Sequence, residues 1–202
     1  MLLEINPKTP EPRKIRRVVD ALEAGNVIAY PTDTVYGLGC DVMNKRAVDR
    51  LYEIKGMERS QMLAFVCRDL SEVSRYAVVN DNVYRTLRKY LPGPYCFILQ
   101  ATRDVPRIVQ TSRRTVGVRI PNNPVAHALV AELGRPIISS TAARHGELPN
   151  PDPHDIDDTF HGLGLVIDAG PGGLEPTTVV DLTGGRPKLI RAGAGDPTPF
   201  QE

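Results

Sequence analysis

Apolar residues recur along the chain with two periods. Ile15, Val18, Val19 and Leu22 follow the i, i+3, i+4, i+7 spacing of an amphipathic helix, opened by the prolines at 10 and 12 and stopped by Gly25. Short apolar runs at 2–5 and 27–30 read as strands, the second ending at Pro31, which has no N–H to give a ladder. Asn44 is suited to cap a helix with Ala47, Leu51 and Ile54 inward, and Gly56 after Lys55 to end it in the left-handed region. Residues 62–67 form a third strand. Asp69 and Ser71 start a short helix through Tyr76, and another over 80–91 stops at Pro92-Gly93-Pro94. Strands follow at 95–101 and 115–120. Asn123-Pro124 then opens a helix with Val125, Leu129, Val130 and Leu133 inward, closed by Gly134. A strand at 136–140 and three closing strands at 163–168, 177–182 and 187–190 complete the pattern. The long stretch 144–160, rich in Pro, Asp and His, reads as irregular. With no repeat or linker, the expectation is one mixed α/β domain over residues 1–202.

Three strand ends carry polar side chains rather than ordinary turns. Thr32, Asp33, Thr34 and Tyr36 follow the second strand, with Gly37 and Gly39 directly after. Hydroxyls can donate and accept, and glycine lets backbone N–H groups come close to a ligand. A capped turn into a helix is the plainer explanation of Pro-Thr-Asp-Thr taken alone. Ser139, Ser140 and Thr141 end a second strand, and Thr177-Thr178 open a third. Open α/β sheets place ligands at such strand ends.

Composition changes this picture little. A charge of +1 over 202 residues gives no global attraction to nucleic acid or membrane. Among the cations, 19 are arginine and 6 lysine, a skew that codon bias or phosphate recognition would each produce. Cys40, Cys67 and Cys96 form no paired motif, which argues for a reducing compartment. His145, His154 and His161 have no metal-ligand spacing, so no metal site is expected. With neither a signal-peptide pattern nor an apolar run long enough to span a bilayer, the expectation is a cytoplasmic protein without a membrane partner.

The runs PTDTVYGLGCD, LPGPYCFIL, VGVRIPNNPVAHALVAELGRPIISSTA and EPTTVVDL followed by LIRAGA, taken together, resemble the YrdC-like family across nearly the whole chain. The resemblance implies a twisted mixed β-sheet with surrounding helices and a wide concave basic cavity. It also implies synthesis of threonylcarbamoyl-AMP from L-threonine, bicarbonate and ATP, with Mg²⁺, for a tRNA adenosine modification. Thr32, Thr34 and Tyr36 would line the amino-acid pocket, and Arg119 would hold the threonine carboxylate or a phosphate. Lys55 would face the ATP phosphates, with Ser139, Thr141 and Arg191 also on the nucleotide side, and Thr178 would complete the cavity.

Lys55, Arg59 and Thr141 would be the catalytic group. The family's Lys-x-Arg here reads Lys55-Gly-Met57-Glu-Arg59, so Arg59 would have to supply the displaced guanidinium. Thr141-Ala-Ala143 replaces a Ser-x-Asn, and Cys96 stands where threonine is usual. These departures, with the run KGMERS, are similar to the YciO-type branch. Two classes of function stay open: a nucleotidyltransferase, or a non-catalytic paralogue that binds nucleotide or double-stranded RNA. For the second, Arg103, Arg107, Arg113, Arg114 and Arg119 supply local positive charge, and the low aromatic content favours phosphate contacts to a duplex or tRNA over base stacking.

Overall fold

Helices begin where the sequence supplies a cap. In the computed structural model, which describes residues 1–201, β1 (Leu2–Glu4) leads to α1 (Pro12–Glu23), started by Pro12 itself. After β2 (Ile28–Tyr30) and β3 (Gly37–Asp41), Asn44 caps α2 (Lys45–Lys55) by accepting from the Ala47 N–H at 3.0 Å, and Gly56 ends it at φ 66°. β4 (Ala64–Val66) precedes α3 (Leu70–Tyr76) and α4 (Asp81–Tyr90), capped by Asp69 and Asn80. β5 (Tyr95–Gln100) and β6 (Thr115–Arg119) form a hairpin. α5 (Pro124–Leu133) is capped by Asn123, and β7 (Ile137–Thr141) follows. α6 (Pro153–Thr159), β8 (Leu165–Asp168), β9 (Thr178–Asp181) and β10 (Lys188–Arg191) complete the chain order.

The strands form one mixed sheet in the order β1-β8-β2-β3-β7-β4-β6-β5-β9-β10. One face is covered along its length. Leu38, Cys40, Phe65, Phe97, Val118, Ile138 and Val180 from successive strands share a core with side chains of α2, α3, α4 and α6. The other face is covered over only part of its width. Ile28, Tyr30, Val66, Ile137, Leu165 and Ile167 pack under the apolar stripes of α1 and α5. Beyond Val66 that roof ends, and the same face carries small residues: Ala64, Cys96 and Val179 line a cavity, with Gly117 beside Ala64 in the neighbouring strand.

Three expectations change. The glycines after Tyr36 belong to a central strand, β3, all of whose residues are buried. A methyl on Gly39 would come within 2.6 Å of Ile137 Cγ2 and 2.9 Å of the Tyr30 ring, so glycine is required by close packing of the ring, not by a ligand. The stretch 144–160 is not wholly irregular, because Asp152 accepts from the His154 N–H at 2.9 Å and nucleates α6. In α2 the buried stripe is Ala47, Val48, Leu51 and Tyr52, with Ile54 only partly covered. Among the described residues no helix is long and apolar enough to cross a membrane.

Candidate functional site

Two adjoining hollows open where the α1–α5 roof stops. The inner one, about 220 Å³, is floored by Ala64, Cys96 and Val179 and edged by Arg119, Ser139 and Arg191. The outer one, about 400 Å³, lies between the 57–62 and 143–149 segments and includes Lys55 and Arg144. Met62, Ser140, Thr141 and Arg191 line both, so they form one continuous recess at the C-terminal end of β7. Strand register explains the floor: Ser139, Ala64 and Gly117 are lateral neighbours on one face.

Arg119, the last residue of β6, is placed by the polar segment after β2. Its Nη2 donates to Asp33 at 3.0 Å and to Thr34 Oγ1 at 3.3 Å, and both charged side chains are only 10% exposed. Asp33 also accepts from the Asn122 N–H at 3.0 Å, and Asn123 Nδ2 donates to the Thr32 carbonyl at 3.2 Å. The start of α5 therefore clamps the 32–34 turn. The Nε of Arg119 is a buried donor with no partner. Leaving such a group unpaired costs about 1–3 kcal/mol, and an anion in the recess would remove that cost.

Lys55 closes the other side. As the last residue of α2, it donates from Nζ to the carbonyl of Thr141 beside the left-handed Gly56. Burial lowers its pKa from 10.5 to about 8. Ser139 accepts from the Tyr30 hydroxyl at 2.6 Å, so its own proton is free to point into the recess. Arg191 donates to the Thr177 carbonyl from Nη2 at 2.9 Å and Nε at 3.2 Å, and to Thr177 Oγ1 at 3.2 Å.

Lys55, Arg119, Ser139, Thr141 and Arg191 thus converge, as their sequence positions suggest. Thr32 and Thr34 are buried behind Arg119, where Thr32 Oγ1 donates to the Val35 carbonyl at 2.6 Å. They set the turn rather than line the recess. Tyr36 is likewise buried, its hydroxyl donating to the Gly170 carbonyl at 2.7 Å and accepting from Ala169 at 3.2 Å. That bond ties β3 to the 169–173 turn.

Besides Thr32, Thr34 and Tyr36, none of which lines the recess, two further assignments need correction. Arg59 does not reach the recess: its Nη2 pairs with Asp49 at 2.5 Å and its guanidinium lies 4.8 Å from the Tyr52 ring centre. The two extra residues after Gly56 carry it back along the outside of α2. Thr178 faces the fully covered side of the sheet, donating to the Gly195 carbonyl and accepting from the Gly193 N–H at 3.0 Å. Strand alternation brings its neighbours Thr177 and Val179 to the recess instead. The run Thr177-Thr178-Val179-Val180 carries the same residue types on both parities, so the sequence of this strand does not mark which threonine faces the recess. The apolar wall of Met57, Met62 and Leu148 likewise carries no sequence signal.

A family model named Sua5_yciO_yrdC, described as telomere recombination, matches residues 20–193. An uncharacterized protein of Haemophilus influenzae is 43% identical over 200 residues, covering 97% of each chain. Uncharacterized protein YciO of Escherichia coli is 40% identical over 199 residues, again covering 97% of each. A crystal structure of E. coli YciO superposes with a TM-score of 0.95 at 38% identity, over 100% of this chain and 99% of that one. A threonylcarbamoyl-AMP synthase of Pyrococcus abyssi is 31% identical over 184 residues, 89% of this chain and 54% of that longer protein. P. abyssi Sua5 in complex with L-threonine superposes with a TM-score of 0.89 at 29% identity, over 96% of this chain and 57% of that one.

Proposed function

The chain belongs to the Sua5/YciO/YrdC family, and on that premise we propose that it makes threonylcarbamoyl-AMP, or a close acyl-adenylate, from L-threonine, bicarbonate and ATP. The observation that carries this reading is the buried, partnerless Nε of Arg119 in a recess also edged by Lys55 and Arg191. A site that keeps an orphan donor beside two further cations is built for an anionic ligand.

In this reading Arg119 takes the amino-acid carboxylate, held in orientation by Asp33. The α-amine attacks the bicarbonate carbon, water leaves, and a carbamate forms. The carbamate oxygen then displaces pyrophosphate from the α-phosphorus. Lys55 and Arg191 hold the triphosphate and stabilise the charge that develops on the departing pyrophosphate, while Ser139 and the Thr141 segment position the reactants. Mg²⁺ would be held by the nucleotide's phosphates, where it would neutralise their charge: among the described residues no three His, Cys, Asp or Glu side chains gather, and Asp33 is already committed to Arg119. A cation bound through phosphates and water needs no protein cage.

A second reading, a paralogue that binds nucleotide without turnover, is favoured by the outward position of Arg59 and by Ala143, whose side chain offers the recess no polar group. Incubation with ATP, Mg²⁺, L-threonine and bicarbonate separates the two. Release of pyrophosphate together with threonylcarbamoyl-AMP is the expected result. Saturable ATP binding with neither product would establish the second reading.

A further inference from the structure

The β5–β6 connection borders a separate, open hollow of about 330 Å³, lined by Thr102 and by the exposed side chains of Arg103, Arg107, Gln110 and Arg114. β6 runs from Thr115 beside this hollow to Arg119 in the recess, five residues or about 13 Å of strand. The two sites are therefore at opposite ends of β6. Three features set the hollow apart from an ordinary charged loop.

First, no carboxylate lines it, and among the described residues Arg103, Arg107 and Arg114 make no ion pair. The carboxylate next in sequence, Asp104, is drawn off by Arg75 at 3.3 Å. Second, Arg114 has φ 53°, the one non-glycine residue in the left-handed region among the described residues. That conformation brings the Cβ of an L residue too close to the backbone, a strain that glycine would avoid. Arginine at a position that favours glycine puts a guanidinium on the hollow at some expense in stability. Third, the loop is held in shape. Gln110 Nε2 donates to the Val105 carbonyl at 2.9 Å, Thr111 Oγ1 accepts from the Thr115 N–H at 3.0 Å, and the Ala101 N–H donates to the Arg114 carbonyl at 2.8 Å.

We propose that this hollow is a second anion site, one that binds a phosphate group through Arg103, Arg107 and Arg114. Guanidinium forks match phosphate oxygens, and the pinned loop keeps three of them together despite their repulsion. The phosphate could belong to a small molecule or to a nucleic-acid backbone, since the recognising chemistry is the same. The site is independent of what the recess catalyses.

The test is an amide chemical-shift titration with inorganic phosphate, run on the full chain and on two variants. Phosphate should move amides of residues 102–115. The double variant Arg103→Ala/Arg107→Ala should weaken that response at least tenfold. Arg114→Gly should weaken it too while raising the melting temperature, which rules out misfolding as the cause. A parallel titration with a labelled RNA duplex distinguishes the source. If three backbone phosphates are contacted, affinity should fall about 40-fold between about 50 and 200 mM salt. The double variant should flatten that log–log salt slope by about 2. RNA that shifts the 102–115 amides and competes with phosphate identifies a nucleic-acid ligand, whereas phosphate shifts without an RNA response identify a free phosphate group. Phosphate shifts confined to residues of the recess, or an undiminished response in both variants, would overturn the site.

Discussion

Replacing Lys55 by methionine keeps an unbranched side chain and removes the charge. The native lysine titrates near 8 against an ordinary 10.5, because burial disfavours its ammonium form. At about 1.36 kcal/mol per pH unit this sets a ceiling of about 3.4 kcal/mol on the penalty, and partial solvent access brings it to about 1–3 kcal/mol. The folded protein binds fewer protons here than the unfolded chain between pH 8 and 10.5. The penalty is thus full below pH 8 and fades as the pH rises to 10.5. Lys55→Met should accordingly be the more stable protein at pH 7, with its advantage gone near pH 10.5. ATP binding should move the opposite way. A triphosphate restores the proton, so wild-type affinity should fall about tenfold from pH 7 to pH 9, with proton uptake on binding near pH 8. The variant should bind ATP at least tenfold more weakly at pH 7, about 1.4 kcal/mol, with neither the pH dependence nor the uptake. Calorimetry in buffers of different ionisation enthalpy measures all three. A flat wild-type pH profile without proton uptake would refute the assignment of Lys55 to the triphosphate.

Arg59→Ala should leave ATP affinity within twofold of wild type, because its partners Asp49 and Tyr52 lie outside the recess; a larger loss in the same calorimetric assay would mean that the 57–62 segment rearranges on binding. Thr178→Val should lower stability by about 1–3 kcal/mol in urea unfolding, since it strands the Gly193 N–H and the Gly195 carbonyl; its threonine affinity should be unchanged. Gly39→Ala should cost about 1–3 kcal/mol by forcing the Tyr30 ring and Ile137 apart, read as a drop in melting temperature.

Helix positions were legible wherever a cap and an apolar stripe coincided, as at Asn44, Asp69, Asn80 and Asn123. β3 was hidden because Gly37-Leu-Gly39 lacks the β-branched character of a strand. What calls for glycine there is the ring of Tyr30 on a neighbouring strand, a contact that local sequence cannot display. α6 was hidden among prolines, although Asp152-Pro153 is a cap followed by a permitted first-turn proline. Within the site, the polar strand ends at 32–36, 139–141 and 177–178 stood out by their chemistry, whereas Lys55, Arg119 and Arg191 were named by the family resemblance. Thr178 and Arg59 were misplaced for geometric reasons: one by a strand's alternation, the other by two residues of loop length. Motif likeness names residue types but leaves a side chain's facing to be settled by parity and by partners such as Asp49.

The incomplete roof over the sheet bears on how such a protein can change over generations. Ala64, Cys96 and Val179 form part of neither hydrophobic core, so replacing them would alter what the recess admits without removing core packing. At Gly117 a new methyl would meet the Cys96 thiol and the end of Met62, each at 3.1 Å, and the terminal methyl of a methionine is able to swing aside. The packing of the two cores and the shape of the recess floor therefore reside in different sets of residues. A duplicated copy could come to admit a different ligand in the recess while keeping both cores intact.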